Sequence, residues 1–317
     1  MRKWWKSWKH IKLNNLIYKL FRMFLYISPE FNYLNNLFSS KKFTVGKYQA
    51  QRYTNQEWHI NVYDQVKNQT CAILSSFAPP DENLLKTLLL ADTLKKEGAK
   101  SVATILPYMA YTRHDKLKPG LGLTTGWVGK MAAVSGINQI ITIDLHSHQA
   151  KDLFPVPIIN LSPAALFATQ LLADDWGDAT VVAPDEGARE RAEDLRKAMK
   201  ITKLIAYMKK IRLPNSVVHS ELIGDVSQKV IIADDILDTG ATLISACQQL
   251  LSKGLKQIAV AVTHGAFTAP DWKQLFNQNV KMIYCTNSIP TASYINHKKI
   301  MVLPIDSVLQ PTIEKLS

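Results

Sequence analysis

The sequence predicts an α/β protein of two domains, each a largely parallel sheet flanked by helices. Two observations carry that prediction. Short runs rich in β-branched residues alternate with helical segments of about 10–15 residues, which is the rhythm of strand–helix–strand crossovers. The rhythm also occurs twice, and 317 residues with 47% apolar content suffice for two cores.

Taken in order, residues 1–22 form a basic amphipathic extension. Arg2, Lys3, Lys6, Lys9, Lys12, Lys19 and Arg22 interleave with Trp4, Trp5, Trp8, Ile11, Leu16 and Leu20, and no acid precedes Glu30. Without those seven cations, the net charge of +12 falls to +5, so the strongly basic character belongs mostly to the extension. Such a helix would suit an anionic membrane surface, or it folds onto its own domain or a neighbouring subunit. Cations interrupt every apolar run, which excludes a secretory core and a membrane span of about 20 residues. The remainder reads as a soluble, cytoplasmic protein with no nucleic-acid surface. Cys71, Cys247 and Cys285 are widely spaced, which indicates buried thiols in a reducing compartment rather than disulfides or a zinc cluster.

The first domain is expected over residues 23–159. Residues 70–77 are an apolar strand, 83–96 a helix closed by Gly98, and 101–106 and 139–143 further strands. FPVPIINLSP, with three prolines, marks the seam. The second domain, 160–317, repeats the pattern: strand 180–183, helix 187–199, strand 203–207, strand 229–233, helix 241–253, strand 257–263.

Ligand groups in parallel sheets gather at the carboxyl ends of strands. There the sequence places Arg113-His114-Asp115, Asp144-Leu145-His146, Asp185 and Asp234-Asp235. An aspartate at a strand end often only caps the next helix, so each alone means little. The stretch VIIADDILDTGATL means more. Its strand ends on Asp234-Asp235, a turn follows at Asp238-Thr239-Gly240, and a helix starts near Ala241. Helix-start N–H groups, the Thr239 and Thr242 hydroxyls and the bare Gly240 backbone make a phosphate seat. No lysine follows the glycine, which excludes a Walker-type loop. Two acids beside a phosphate seat suit a sugar's vicinal hydroxyls and a hydrated Mg²⁺. A sugar 5-phosphate satisfies both halves.

IIADDILDTGAT resembles the phosphoribosyl-diphosphate element shared by phosphoribosyltransferases and ribose-phosphate diphosphokinases. LPYMAYTRHDK, TIDLHSHQAKDLFPVPIINLSP and VVAPDEGARERAEDL are similar to diphosphokinase motifs and occur in that family's order, from about Phe24 to the C-terminus. The resemblance implies two phosphoribosyltransferase-like domains, the first on the ATP side. It implies transfer of the diphosphoryl group of ATP to ribose 5-phosphate, giving phosphoribosyl diphosphate and AMP, with Mg²⁺ as cofactor and a homo-oligomeric enzyme.

By the same match, Asp234, Asp235, Asp238, Thr239, Gly240, Ala241 and Thr242 would take ribose 5-phosphate, and His146 and Asp185 the metal. Tyr53, Asn55, Glu57, Arg113 and His114 would take ATP. Lys210 and Arg212, in YMKKIRLP, would stabilise transition-state charge, with Lys209 the alternative lysine. His148 and His264 are left as surface or packing residues. The chain departs from the family at Asn55 (often Asp), His114 (usually Gln), Ala241 (commonly Gly), Glu186-Gly187 and KPGLGLTT. Those departures keep a catalytically weak regulatory paralogue as an alternative, alongside a phosphoribosyltransferase.

Overall fold

The computed structural model describes residues 23–38, 43–211 and 219–316; the basic extension and Arg212 lie outside the described residues. The elements run β1 (Met23–Ile27), β2 (Phe43–Val45), β3 (Tyr48–Arg52), β4 (Trp58–Val62), β5 (Thr70–Leu74), α1 (Glu82–Lys96), β6 (Ser101–Leu106), α2 (Thr124–Val134) and β7 (Gln139–Ile143). They continue with α3 (Gln149–Asp152), β8 (Ile158–Leu161), α4 (Ala164–Ala173), β9 (Thr180–Ala183), α5 (Arg189–Ala198), β10 (Ala206–Ile211) and β11 (His219–Ile223). The last are β12 (Lys229–Leu237), α6 (Ala241–Ser252), β13 (Gln257–Gly265), β14 (Val280–Thr286), β15 (Ile300–Leu303) and α7 (Asp306–Ile313).

By contact the chain divides into two units. The first takes the chain up to Thr142, Ser147–Asn160 and everything from Leu309; the second takes Ile143–His146 and Leu161–Val308. The first unit is built on a six-stranded sheet, β2-β1-β5-β6-β7-β8, with parallel pairing from β2 through to β7. Separate from it, β3 and β4 form an antiparallel hairpin. The second unit is built on a seven-stranded sheet, β11-β10-β9-β12-β13-β14-β15, parallel except for β10–β11. The fold is therefore the α/β arrangement that the alternation predicts.

The pleat of the second sheet explains its apolar runs. Val230, Ile232, Ile258 and Val260 pack on one face with Leu243, Cys247 and Leu250 of α6. Ile231, Ala233, Ala259 and Ala261 pack on the other with Phe167 and Leu171 of α4 and Leu195 of α5. A strand buried on both faces must be apolar at every position, because successive side chains point to opposite sides. In α1, Glu82 opens the first turn and Lys95 and Lys96 close the last, each complementing the helix dipole. The three cysteines are free and buried, and burial pushes each thiol up to about 12.

Several boundaries move from their predicted places. The strand expected at 203–207 is β10, displaced toward Ile211 because it pairs antiparallel with β11. The strand expected at 229–233 runs on to Leu237, since β13 supplies partners as far as Gly265. The pattern gave no signal for the 3-10 turns at Pro29–Phe38 and Pro270–Gln278.

Leu250 is fully buried against this sheet and Val134 is 83% exposed. Leu250→Ala is expected to cost about 2–5 kcal/mol in denaturant unfolding, and Val134→Ala less than about 0.5 kcal/mol; equal losses would refute this account of the core. Burial also holds the His264 imidazole below its ordinary 6.5, against the pull of Asp144 and Asp235. The unfolded chain thus takes the proton first, so stability is complete above that value and lost as the pH falls below it. Denaturation midpoints at neutral pH and at about pH 5.5 should fall less in His264→Asn than in the parent; an identical fall would exonerate His264.

Candidate active site

The centre of the second unit is the turn between β12 and α6. Asp234 and Asp235 lie within β12 rather than at its end, which corrects the sequence reading: Asp234 pairs with Val262 and Ile236 with His264. The chain leaves the sheet after Leu237, whose carbonyl accepts from the N–H groups of both Ala266 and Phe267 at 3.0 Å. Thr268 donates its hydroxyl to Asp238, fixing the far side of the turn. Gly240 has φ +87°, and a Cβ there would stand 3.0 Å from the Trp272 backbone, so conformation and space both demand glycine. Thr239 Oγ1 accepts weakly from the Ala241 N–H at 3.5 Å. Thr239, Ala241 and Thr242 are exposed. The first amides of α6, which a helix cannot satisfy internally, stand over this turn.

Beside the turn lies a buried charge cluster. His146 Nδ1 donates to Asp235 Oδ2 at 2.7 Å. Burial would raise the Asp235 carboxyl, but the His146 hydrogen bond and the Arg191 charge outweigh it and hold the group well below its usual range. Asp234 goes the other way: burial and the neighbouring Asp235 push it well up, only partly offset by Arg191. Arg191, in the first turn of α5, directs Nε at both Asp144 oxygens, at 2.9 and 2.8 Å. Its Nη1 stands 3.8 Å from Asp234 Oδ1. Asp144 also accepts from the Thr263 hydroxyl. Asp185 Oδ1 accepts from the Ala188 N–H at 3.1 Å, closing the turn before α5. His264 is a packing residue, as its sequence setting suggested, with Nδ1 2.8 Å from Ser288 Oγ.

Sequence reasoning missed Arg191, Thr263 and Thr268. A signal for Arg191 existed: a cation in the first turn of a helix opposes the helix dipole and asks for a reason. Thr263 and Thr268 carried none.

The residues assigned to ATP lie in the first unit on two segments. Tyr53, Asn55 and Glu57 occupy the turn of the β3–β4 hairpin. Asn55 Oδ1 accepts from the Glu57 N–H at 3.2 Å, and the exposed Tyr53 ring stacks on His59 at 4.2 Å. Arg113 and His114 are exposed on the loop after β6, where the Thr125 hydroxyl donates to the carbonyls of Tyr111 and His114, each at 2.8 Å. Both segments reach the start of α1: Arg52, at the end of β3, bonds Glu82 at 2.5 Å, and the Tyr111 hydroxyl donates to Asp81. Lys209 and Lys210 lie on β10, opposite Glu221 and Ser220.

Two family profiles match the chain. One, the N-terminal domain of ribose phosphate pyrophosphokinase, matches residues 25–136, and the other, the phosphoribosyl synthetase-associated domain, matches residues 183–317. A ribose-phosphate pyrophosphokinase of Fusobacterium nucleatum subsp. nucleatum is 31% identical over 279 residues, covering 86% of this chain and 88% of its own. One from Cereibacter sphaeroides is 30% identical over 263 residues, covering 80% and 78%. The crystal structure of phosphoribosylpyrophosphate synthetase from Mycobacterium smegmatis superposes with a TM-score of 0.83 at 25% identity, covering 93% of this chain and 98% of that one. With both halves of the chain matched and a relative 31% identical over 86% of it, the protein belongs to the ribose-phosphate pyrophosphokinase family.

Proposed function

We propose that the chain transfers the diphosphoryl group of ATP to ribose 5-phosphate, giving phosphoribosyl diphosphate and AMP. The observation that carries this is the turn at Asp238–Thr242 beside Asp234 and Asp235. Anion-seeking amides and diol-seeking carboxylates stand one turn of chain apart, as a sugar 5-phosphate requires. In this reading Asp238, Thr239, Gly240, Ala241 and Thr242 hold the 5-phosphate, and Asp234 and Asp235 receive the ring hydroxyls. The sugar's anomeric oxygen would attack the β-phosphorus of ATP in line with the departing AMP oxygen, a reaction in which positioning supplies much of the rate.

The donor set fits Mg²⁺. Three carboxylates, those of Asp144, Asp234 and Asp235, face one guanidinium, so the cluster carries a negative surplus. Among the described residues no three His, Cys, Asp or Glu side chains form a metal cage. Mg²⁺ commonly keeps several waters and takes one or two protein ligands with substrate phosphates. His146 and Asp185 would be those ligands. The contact of His146 Nδ1 with Asp235 would orient the ring toward such a role. When bound, Mg²⁺ would neutralise charge on the phosphate oxygens. Lys210, with Arg212, would meet the charge that builds on the transferred group, and Lys209 is the alternative. Tyr53, Asn55, Glu57, Arg113 and His114 would hold ATP. A homo-oligomer in the cytoplasm completes the reading. No described helix is long and apolar enough to cross a membrane, and any surface binding is assigned to residues 1–22.

Phosphorus NMR of the protein with Mg²⁺, ATP and ribose 5-phosphate should show AMP and a new sugar-linked diphosphate. The slower of Lys209→Ala and Lys210→Ala identifies the lysine. ADP as product would mean transfer of a single phosphoryl group and sink the reaction; sugar-phosphate binding without turnover would favour a regulatory paralogue. Gly240→Ala should cost about 1–3 kcal/mol of stability and raise the ribose 5-phosphate KM about tenfold or more while sparing that for ATP. An unchanged sugar KM would remove the turn from the site.

A further inference from the structure

Arg191 stands where helix physics disfavours it. It is the third residue of α5, and the first turn of a helix presents unpaired N–H groups and the positive end of the dipole. Its guanidinium is also largely withdrawn from water, the side chain keeping 16% of its exposure. An arginine persists under both penalties when its partners hold it tightly, and the partners here are unusually fixed. Asp144 meets Nε with both oxygens, at 2.9 and 2.8 Å. Asp144 is itself clamped. Its N–H donates to the Leu161 carbonyl at 2.9 Å, its carboxylate accepts from Thr263, and its carbonyl faces His264 Nε2 at 3.4 Å. It holds φ +47°, a region uncommon for residues other than glycine.

This clamp points the other end of the guanidinium at the sugar-side acids. Nη1 is 3.8 Å from Asp234 Oδ1, close enough for strong attraction and too long for a direct hydrogen bond. Asp234 otherwise accepts from the Asp235 N–H at 2.9 Å, and Asp235 from His146. Two adjacent buried carboxylates repel, and without a fixed cation behind them the pair would splay or draw in water.

We propose that Arg191, anchored by Asp144, is a positioning residue that holds Asp234 and Asp235 in the arrangement that receives the sugar hydroxyls. It touches no substrate and acts through the two acids. The proposal rests on the reading of those acids as the ribose 5-phosphate site. An arginine is suited to the task because its rigid planar group engages Asp144 through Nε and leaves Nη1 beside Asp234. A lysine offers a single point charge and serves one partner at a time.

The test is calorimetric binding of ribose 5-phosphate to the full chain, with steady-state KM for both substrates, in the parent, Arg191→Lys, Arg191→Met and the double variant Arg191→Met with Asp144→Asn. Thermal melting follows folding. Arg191→Lys, which retains the charge and fills the space, is expected to bind the sugar phosphate about tenfold more weakly, with the ATP KM within about twofold. Arg191→Met should lose more, and adding Asp144→Asn should worsen sugar binding little further, because Asp144 acts through the arginine. Should Arg191→Met fail to fold, Arg191→Lys decides alone. Sugar affinity unchanged in Arg191→Lys, or equal losses for sugar and ATP in either variant, would overturn the proposal. A parent protein that binds ATP but no ribose 5-phosphate would instead overturn the reading of the acids, and the proposal with it.

Discussion

Three carboxylates gathered in a poorly hydrated space need a compensating charge, and in the second unit most of it comes from Arg191. Asp144 arrives on the Ile143–His146 stretch, Asp234 and Asp235 on β12, and the guanidinium on α5. Removing the arginine would leave buried charges facing one another, a far larger penalty than the loss of an exposed ion pair. The opposite displacements of the two β12 acids follow from this crowding. Asp235 has a histidine and a guanidinium and stays ionised, while Asp234 borders Asp235 and Asp185 and is driven toward its neutral form.

In the first unit the organising point is the start of α1. Asp81 and Glu82 complement the helix dipole, as acids do at any helix start. They also take the Tyr111 hydroxyl and the Arg52 guanidinium, so the loop after β6 and the β3–β4 hairpin share one anchor. Trp58 adds to it by lying under Arg52, at 4.6 Å, and Lys86, at 5.2 Å.

Much of the architecture was legible because parallel strands buried on both faces leave an unmistakable apolar run. Residues 101–106, 139–143 and 180–183 read as strands from composition alone and are β6, β7 and β9. Where partners set the limits, the sequence fell short. Asp234 and Asp235 looked terminal because charge usually ends a strand, yet β13 carries hydrogen bonding past them to Leu237. The turn before α6 was legible because glycine and hydroxyl residues at a helix start have a local reason to be there. Arg191 left only the hint of a cation in a helix's first turn, and Thr263 and Thr268 left none, since each owes its place to residues distant in the chain. Thr263 reaches Asp144 across 119 positions, and no local pattern encodes such a contact.

The pleat of β12 has a consequence for how this chain can change. Val230 and Ile232 belong to one apolar layer, Ile231 and Ala233 to the other, and Asp234 and Asp235 follow in the same alternation. A residue gained or lost early in the strand would swap both layers and both acids together. Core packing and the placement of the two acids thus share one reading frame. Length variation among descendants of this sequence should accumulate in the connections between elements, while β12 changes only by substitution.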